Sequence, residues 1–207
     1  NGNFLMSAFF VGRILVLYGF QSFYTVIFVA MLYSMIGLQE GVEYFLTFLA
    51  LALLLGFIAV TLGYLFGTIF PTITGATSTV PMLVIPLVFF SGLFISLDNI
   101  PLYFVWMYYL SFVQYAYQIL LVNEFKDKAF EPCTAQDLAT PGNCPLGRCN
   151  ADPFNQSLPA ESCSGLLIVE LLDYSIDEQY INWVILLAFW IVLIILSAFV
   201  LKRYLKS

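Results

Sequence analysis

Long stretches without charge limit this chain more than any other feature of its sequence. No Asp, Glu, Lys or Arg lies between Arg13 and Glu40, between Glu43 and Asp98, between Asp98 and Glu124, or between Glu178 and Lys202. The 207 residues are 61% hydrophobic and 10% charged, whereas soluble domains carry about 25% charged residues. Too little polar surface exists to cover so much apolar side chain in water, so the solvent of this chain is largely lipid. In hydrocarbon every backbone N–H and C=O has to be satisfied internally, which makes the uncharged stretches helices and the fold class all-α, a polytopic membrane protein.

A helix rising about 1.5 Å per residue needs about 20 apolar residues to cross the hydrocarbon core. On that measure residues 14–38 and 180–201 each hold one crossing. The longer gap holds two, and it breaks at Pro71-Thr-Ile-Thr-Gly75, a helix stop followed by a turn inside an apolar run. The expected helices are 44–70 and 76–97.

Residues 99–123 are long enough to cross but carry Pro101, Trp106, Gln114, Gln118 and five tyrosines at 103, 108, 109, 115 and 117, a composition suited to an interface. The parity of crossings resolves their role. The segment 124–178 holds all four cysteines, ten acidic against three basic residues, and the sequon Asn155-Gln-Ser157, which suits an oxidising, glycosylating exterior. The tail 202–207 is basic, and Arg13 ends an amino-terminal flank, 1–13, that connects on the cytoplasmic side; both ends are then expected in the cytoplasm. An inside start and an outside loop require an odd number of crossings between them. One of four candidate segments must fail to cross, and 99–123 is the one expected to do so, as a re-entrant hairpin of two short helices.

Several chemistries are excluded. The chain has no His, no Gly-x-x-x-x-Gly-Lys-Ser/Thr phosphate loop and no cysteine cluster at metal-ligand spacing, so neither metal nor nucleotide chemistry has residues to serve it here. The chain alone is not expected to be an enzyme. A net charge of −6 argues against nucleic acid as a partner. The sequence opens at Asn1 without Met and without a signal-peptide pattern, so a fragment of a longer protein is expected.

Cys133, Cys144, Cys149 and Cys163 share one polar loop with five prolines, the composition of a disulfide-stapled outer subdomain; four cysteines allow three intrachain connectivities, and a bridge to a second chain is a further option. Asn155 is the expected glycosylation site. Gly63 and Gly67 form a Gly-x-x-x-Gly step where another helix can approach closely, within the subunit or across a dimer seam. Pro81 and Pro86 each remove an amide donor from the helix 76–97, either as a plain kink or where a cavity accommodates the freed carbonyls. That helix ends in Phe89-Phe90-Ser91-Gly92-Leu93-Phe94, bulky groups around a flexible Gly that could close a path. Glu124 follows the hairpin, at the membrane boundary or in solvent.

Ile100-Pro101, Trp106, Tyr109, Ser111, Tyr115, Tyr117 and Asn123-Glu124-Phe125 together resemble the re-entrant region of the ABCG (White) subfamily of ABC transporters. Gly2, Phe4, Ser7, Phe9 and Phe10 resemble that family's connection from the second to the third transmembrane helix, and Tyr33-Ser-Met-Ile-Gly37-Leu38 resembles the end of the third. Cys133, Cys144 and Cys149 have the spacing of the three extracellular cysteines in a multidrug half-transporter of the family, with Cys163 as an addition. The resemblance covers nearly the whole chain.

It implies an ABC-2 type transmembrane domain, a nucleotide-binding domain upstream on the same chain that binds ATP and Mg, and a second half-transporter subunit as homodimer or heterodimer partner. It implies Cys133–Cys149 as the intrachain staple and Cys144 as the link between subunits. By the same resemblance Pro81, Met82, Ile85, Val88 and Phe89 line a substrate cavity, Leu93 and Phe94 form its upper gate, and Arg13 stands near the elements that couple to ATP hydrolysis. The expected cargo is hydrophobic or amphipathic, such as lipids, sterols or drug-like compounds, handled in the plasma membrane. The rival expectation is a non-transporting scaffold or receptor anchored in membrane lipid, with the disulfide-bonded loop as its working part. A channel or secondary carrier is disfavoured by the lack of intramembrane ionisable residues and of an inverted repeat.

Overall fold

The computed structural model describes residues 2–38, 41–70, 72–94, 101–126 and 179–204, with the side chains of 10–38 and onward in those segments up to 203. Among them the order is α1 (Gly2–Ile36), α2 (Val42–Ile69), α3 (Ile73–Phe89), a 3₁₀ turn at Leu102–Phe104, α4 (Val105–Leu110), α5 (Phe112–Phe125) and α6 (Gln179–Tyr204). Among the described residues three helices are long and apolar enough to cross a membrane: Phe10–Ile36 within α1, Val42–Ile69 and Gln179–Arg203. One continuous helix, α1, runs through both the amino-terminal flank and the first crossing expected from the sequence.

α2 is the centre of the bundle. Its residues Leu51, Leu54, Ile58 and Leu65 recur three, four and seven apart, the spacing of one helix face, and they bury themselves against Ala116 and Ile119 of α5 and Leu186 and Leu193 of α6. α1 packs antiparallel on another side of α2, with Phe10 against Tyr64, Tyr18 against Phe57 and Tyr33 against Phe45 at ring separations of 5.6, 4.8 and 5.1 Å. Lipid tails are as apolar as these side chains, so helix association in a bilayer rests on packing and on satisfied polar groups rather than on removal from water. Both devices are present. Gly56 lets Gln21 close in, since a Cβ there would stand 2.8 Å from its Nε2. The indole Nε1–H of Trp190 donates to Tyr18 Oη at 3.0 Å. Thr61 spends its one hydroxyl proton on Phe57 O at 2.6 Å, so in the 2.7 Å contact between Tyr18 and Thr61 the phenol is the donor. One hydrogen-bonded chain thereby joins α6, α1 and α2.

The Gly63–Gly67 step makes no such contact with the described residues: a Cβ on either glycine would meet nothing within 4 Å among them.

α3 starts earlier and ends earlier than the expected 76–97. Thr72 caps its start, with its side chain accepting from Gly75 N at 3.3 Å, which moves the first turn back toward Pro71. At the other end Ser91 N turns to Val88 O at 3.3 Å instead of Leu87 O, and Gly92 takes a φ of 85°, a conformation Gly adopts without steric cost. The carbonyl of Leu87, left over by that exchange, accepts from Ser111 Oγ at 2.8 Å. Within the stretch 99–123, expected as a hairpin of two short helices, residues from Leu102 onward form the 3₁₀ turn and the two helices α4 and α5, with the break at Ser111. α5 runs antiparallel along the first halves of α2 and α6: Asn123 Nδ2 donates to Tyr44 O at 3.1 Å, Asn182 Nδ2 to Gln118 Oε1 at 2.8 Å, and the Phe112 and Phe189 rings lie 6.2 Å apart.

Candidate functional site: the open face of α3

α3 is 17 residues long and carries no buried residue. Met82, Ile85 and Phe89 are 76%, 52% and 48% exposed, and their spacing of three and four places them on one face with Pro81. Val88 is half-buried at the edge of that face. The helix contains no charged residue, and Pro81 and Pro86 have no N–H to give, so the carbonyls of Thr77 and Met82 lack their helical donors. The face is therefore an apolar wall carrying two backbone acceptors.

The turn beyond α3 divides the two residues expected to form a gate. Phe94 folds back on Phe89, with ring centroids 5.3 Å apart, and so extends the α3 face. Leu93 instead borders a slot between α2 and α5. Phe90, next after Phe89 in sequence, stacks on Phe104 at 5.1 Å. Ser91 is fully buried and donates from Oγ to Val88 O at 2.6 Å, which pins the turn that separates Leu93 from the α3 face. Arg13 is exposed on α1, and Glu124 is half-buried near the end of α5.

Cys133, Cys144, Cys149, Cys163 and Asn155 lie outside the described residues.

Some polar residues work differently from their reading in the sequence. Gln114 and Gln118 there favour a watery interface, but the structure buries them to 4% and 9% exposure. The cause is α6: Asn182, itself 6% exposed, gives its amide proton to Gln118. Gln114 Oε1 is buried without a partner among the described residues. Their spacing of four along an apolar helix was a visible signal of a shared inward face; the partner on α6, 64 residues away, had no local signal.

Residues 3–125, from α1 to the end of α5, match the ABC-2 type transporter family. The chain belongs to that family, in its ABCG (White) subfamily. It is similar to Protein white of Ceratitis capitata, 32% identical over 154 residues, which are 73% of this chain and 20% of that protein. It is similar to Protein white of Drosophila melanogaster, 31% identical over 158 residues, 76% of this chain and 20% of the relative. ABC transporter G family member 20 of Arabidopsis thaliana is 40% identical over 124 residues, 58% of this chain and 16% of that protein. The chain thus spans about a fifth of the length of these relatives. As an ABC-2 membrane domain it is a multi-pass integral membrane protein, and the stretch matching the family includes the whole α3 face and the Leu93–Phe94 turn.

Proposed function

We propose that this chain is the substrate-translocating part of an ABCG-type ATP-driven transporter that exports or flips hydrophobic or amphipathic molecules, such as lipids, sterols or drug-like compounds. The observation that carries this reading is the α3 face. An apolar helix with no buried residue among the described residues, no charge, and two proline-freed carbonyls beside exposed Met82, Ile85 and Phe89 suits a cavity wall completed by a second subunit. A hydrated ion would find little there to replace its water.

In this reading Pro81, Met82, Ile85, Val88 and Phe89 face the cargo, and the turn that carries Leu93 and Phe94 closes the upper end, with Phe94 on the α3 face and Leu93 on the side of the turn toward α2 and α5. The nucleotide-binding domain, upstream on the same chain, binds ATP and Mg and hydrolyses the nucleotide; its closure against that of a partner half-transporter, identical or not, switches the cavity from inward to outward access. Residues 99–123 act as a re-entrant hairpin. That role is supported by α5 lying beside only the first halves of α2 and α6, and by the Ser111–Leu87 bond that meets α3 where it ends. The loop 124–178 is extracellular, stapled by Cys133–Cys149 with Cys144 between subunits, and glycosylated at Asn155, in the plasma membrane.

The test is ATPase activity of the full-length protein in lipid vesicles, with and without sterols, phospholipids and hydrophobic drugs. Stimulation by one of these classes is expected. Folded protein that hydrolyses no ATP under any condition would replace transport by the anchored scaffold with its disulfide-bonded loop.

A further inference from the structure

A second apolar recess lies away from the α3 face. It is a slot of about 250 Å³ between α2 and α5, walled by Phe48 and Leu55 on one side, Val113, Tyr117 and Leu120 on the other, and Leu93 at the turn. The walls present almost no donor or acceptor. Leu93 is 46% exposed and the five others are half-buried, so among the described residues the slot has an open side.

Its depth identifies what that side faces. At about 1.5 Å per residue, Phe48 stands about 9 Å and Leu55 about 20 Å along α2 from Val42, within a hydrocarbon layer about 30 Å thick. What meets the opening is acyl chain, not water. The slot is also polar at one end. Glu43 and Tyr44 precede Phe48 by about a turn, Asn123 and Glu124 follow Leu120 by about a turn, and Asn123 Nδ2 bonded to Tyr44 O joins the two rims. Leu55, Val113 and Leu93 make the other, apolar end. A polar rim followed by an apolar channel is the order of a lipid's own headgroup and tail. An empty slot would leave its lining without contact atoms on one side.

We propose that the slot between α2 and α5 binds one acyl chain of a membrane phospholipid, headgroup at the Tyr44–Asn123 rim and chain end against Leu93. The occupant is structural or regulatory lipid, distinct from cargo on the α3 face, and its seat requires only that the helices span a membrane. Because Leu93 belongs to the same pinned turn as Phe94, the bound chain sets how far that turn can move toward α5.

The full-length protein in phosphatidylcholine vesicles, doped with phosphatidylcholine bearing a diazirine either near the glycerol or near the chain end, tests the proposal by illumination and mapping of adducts. The near-glycerol label should mark Phe48 and Leu120, and the chain-end label Leu55, Val113 or Leu93. Ala52→Phe, a substitution in the slot wall, should lower slot adducts about tenfold, equivalent to about 1.4 kcal/mol of lost fit. Adducts on Phe20 and Phe23, both 63% exposed on α1, should stay unchanged and report intact insertion. Slot adducts no denser than those on Phe20 and Phe23, or unchanged by Ala52→Phe, would overturn the proposal. So would a slot that takes no lipid but cross-links to residues 127–178, which would then be its cover. If Ala52→Phe does not insert, the depth order in the unaltered protein decides: both labels on the same residues would defeat the assignment.

Discussion

α5 and α3 are both short apolar helices, and they meet opposite fates. α5 buries six of its 14 residues, two of them glutamines, while α3 buries none of 17. Their composition does not account for the difference, since α5 is the more polar of the two. Position does. α5 lies in the groove between α2 and α6, donating a hydrogen bond to the first and accepting one from the second, whereas α3 turns Met82, Ile85 and Phe89 outward. Burial here therefore follows contact within the bundle and not composition.

Truncating the α5 side of the comparison should have the largest effect. Ile119 is fully buried against α2 and α6, and Ile119→Ala should destabilise the protein by about 2–4 kcal/mol through cavity formation, read as a lowered thermal midpoint in lipid nanodiscs. Next is Asn182→Leu, which leaves Gln118 Oε1 buried without its donor. Its expected cost is about 1–2 kcal/mol, and Gln118→Leu added to it should recover part of the loss in a double-mutant cycle. Full additivity of the two would show that the pair is not coupled. Tyr18→Phe removes the phenol that links Trp190 to Thr61 and should cost about 1 kcal/mol, with Trp190 fluorescence shifting as its indole N–H loses its acceptor. The α3 side should barely respond. Ile85→Ala is expected to change the thermal midpoint by no more than about 0.5 kcal/mol equivalent, while altering substrate-stimulated ATPase activity; a loss as large as that of Ile119→Ala would erase the distinction between the two helices.

Much of the architecture was visible in the charge-free stretches alone. They separate α1, α2 and α6 because an apolar run long enough to cross needs no tertiary information to be recognised. The limits of α3 were not visible, because its end is decided by an exchange of partners: Ser91 N leaves Leu87 O, and Ser111 from another helix takes it up. The spacing of Gln114 and Gln118 placed them on one helix face, but the partner that lets Gln118 be buried was not visible, since Asn182 comes from α6, 64 residues away. Among the candidate wall residues, the spacing of Met82, Ile85 and Phe89 was legible as a helix face. The separation of Leu93 from Phe94 was not, because two neighbours beyond a helix end carry no period to orient them.

The hydrogen-bonded chain through Tyr18 also has an order in time. Its bond to Thr61 joins residues 43 apart in sequence, and its bond from Trp190 joins residues 172 apart. As the polypeptide emerges from the ribosome, the first can form as soon as α2 has followed α1 into the membrane. The second has to wait for α6. Until then Trp190 is still unmade, Tyr18 Oη is without its donor, and the polar centre of the bundle lies open on one side. A chain stopped before α6 therefore lacks the bond that closes that centre.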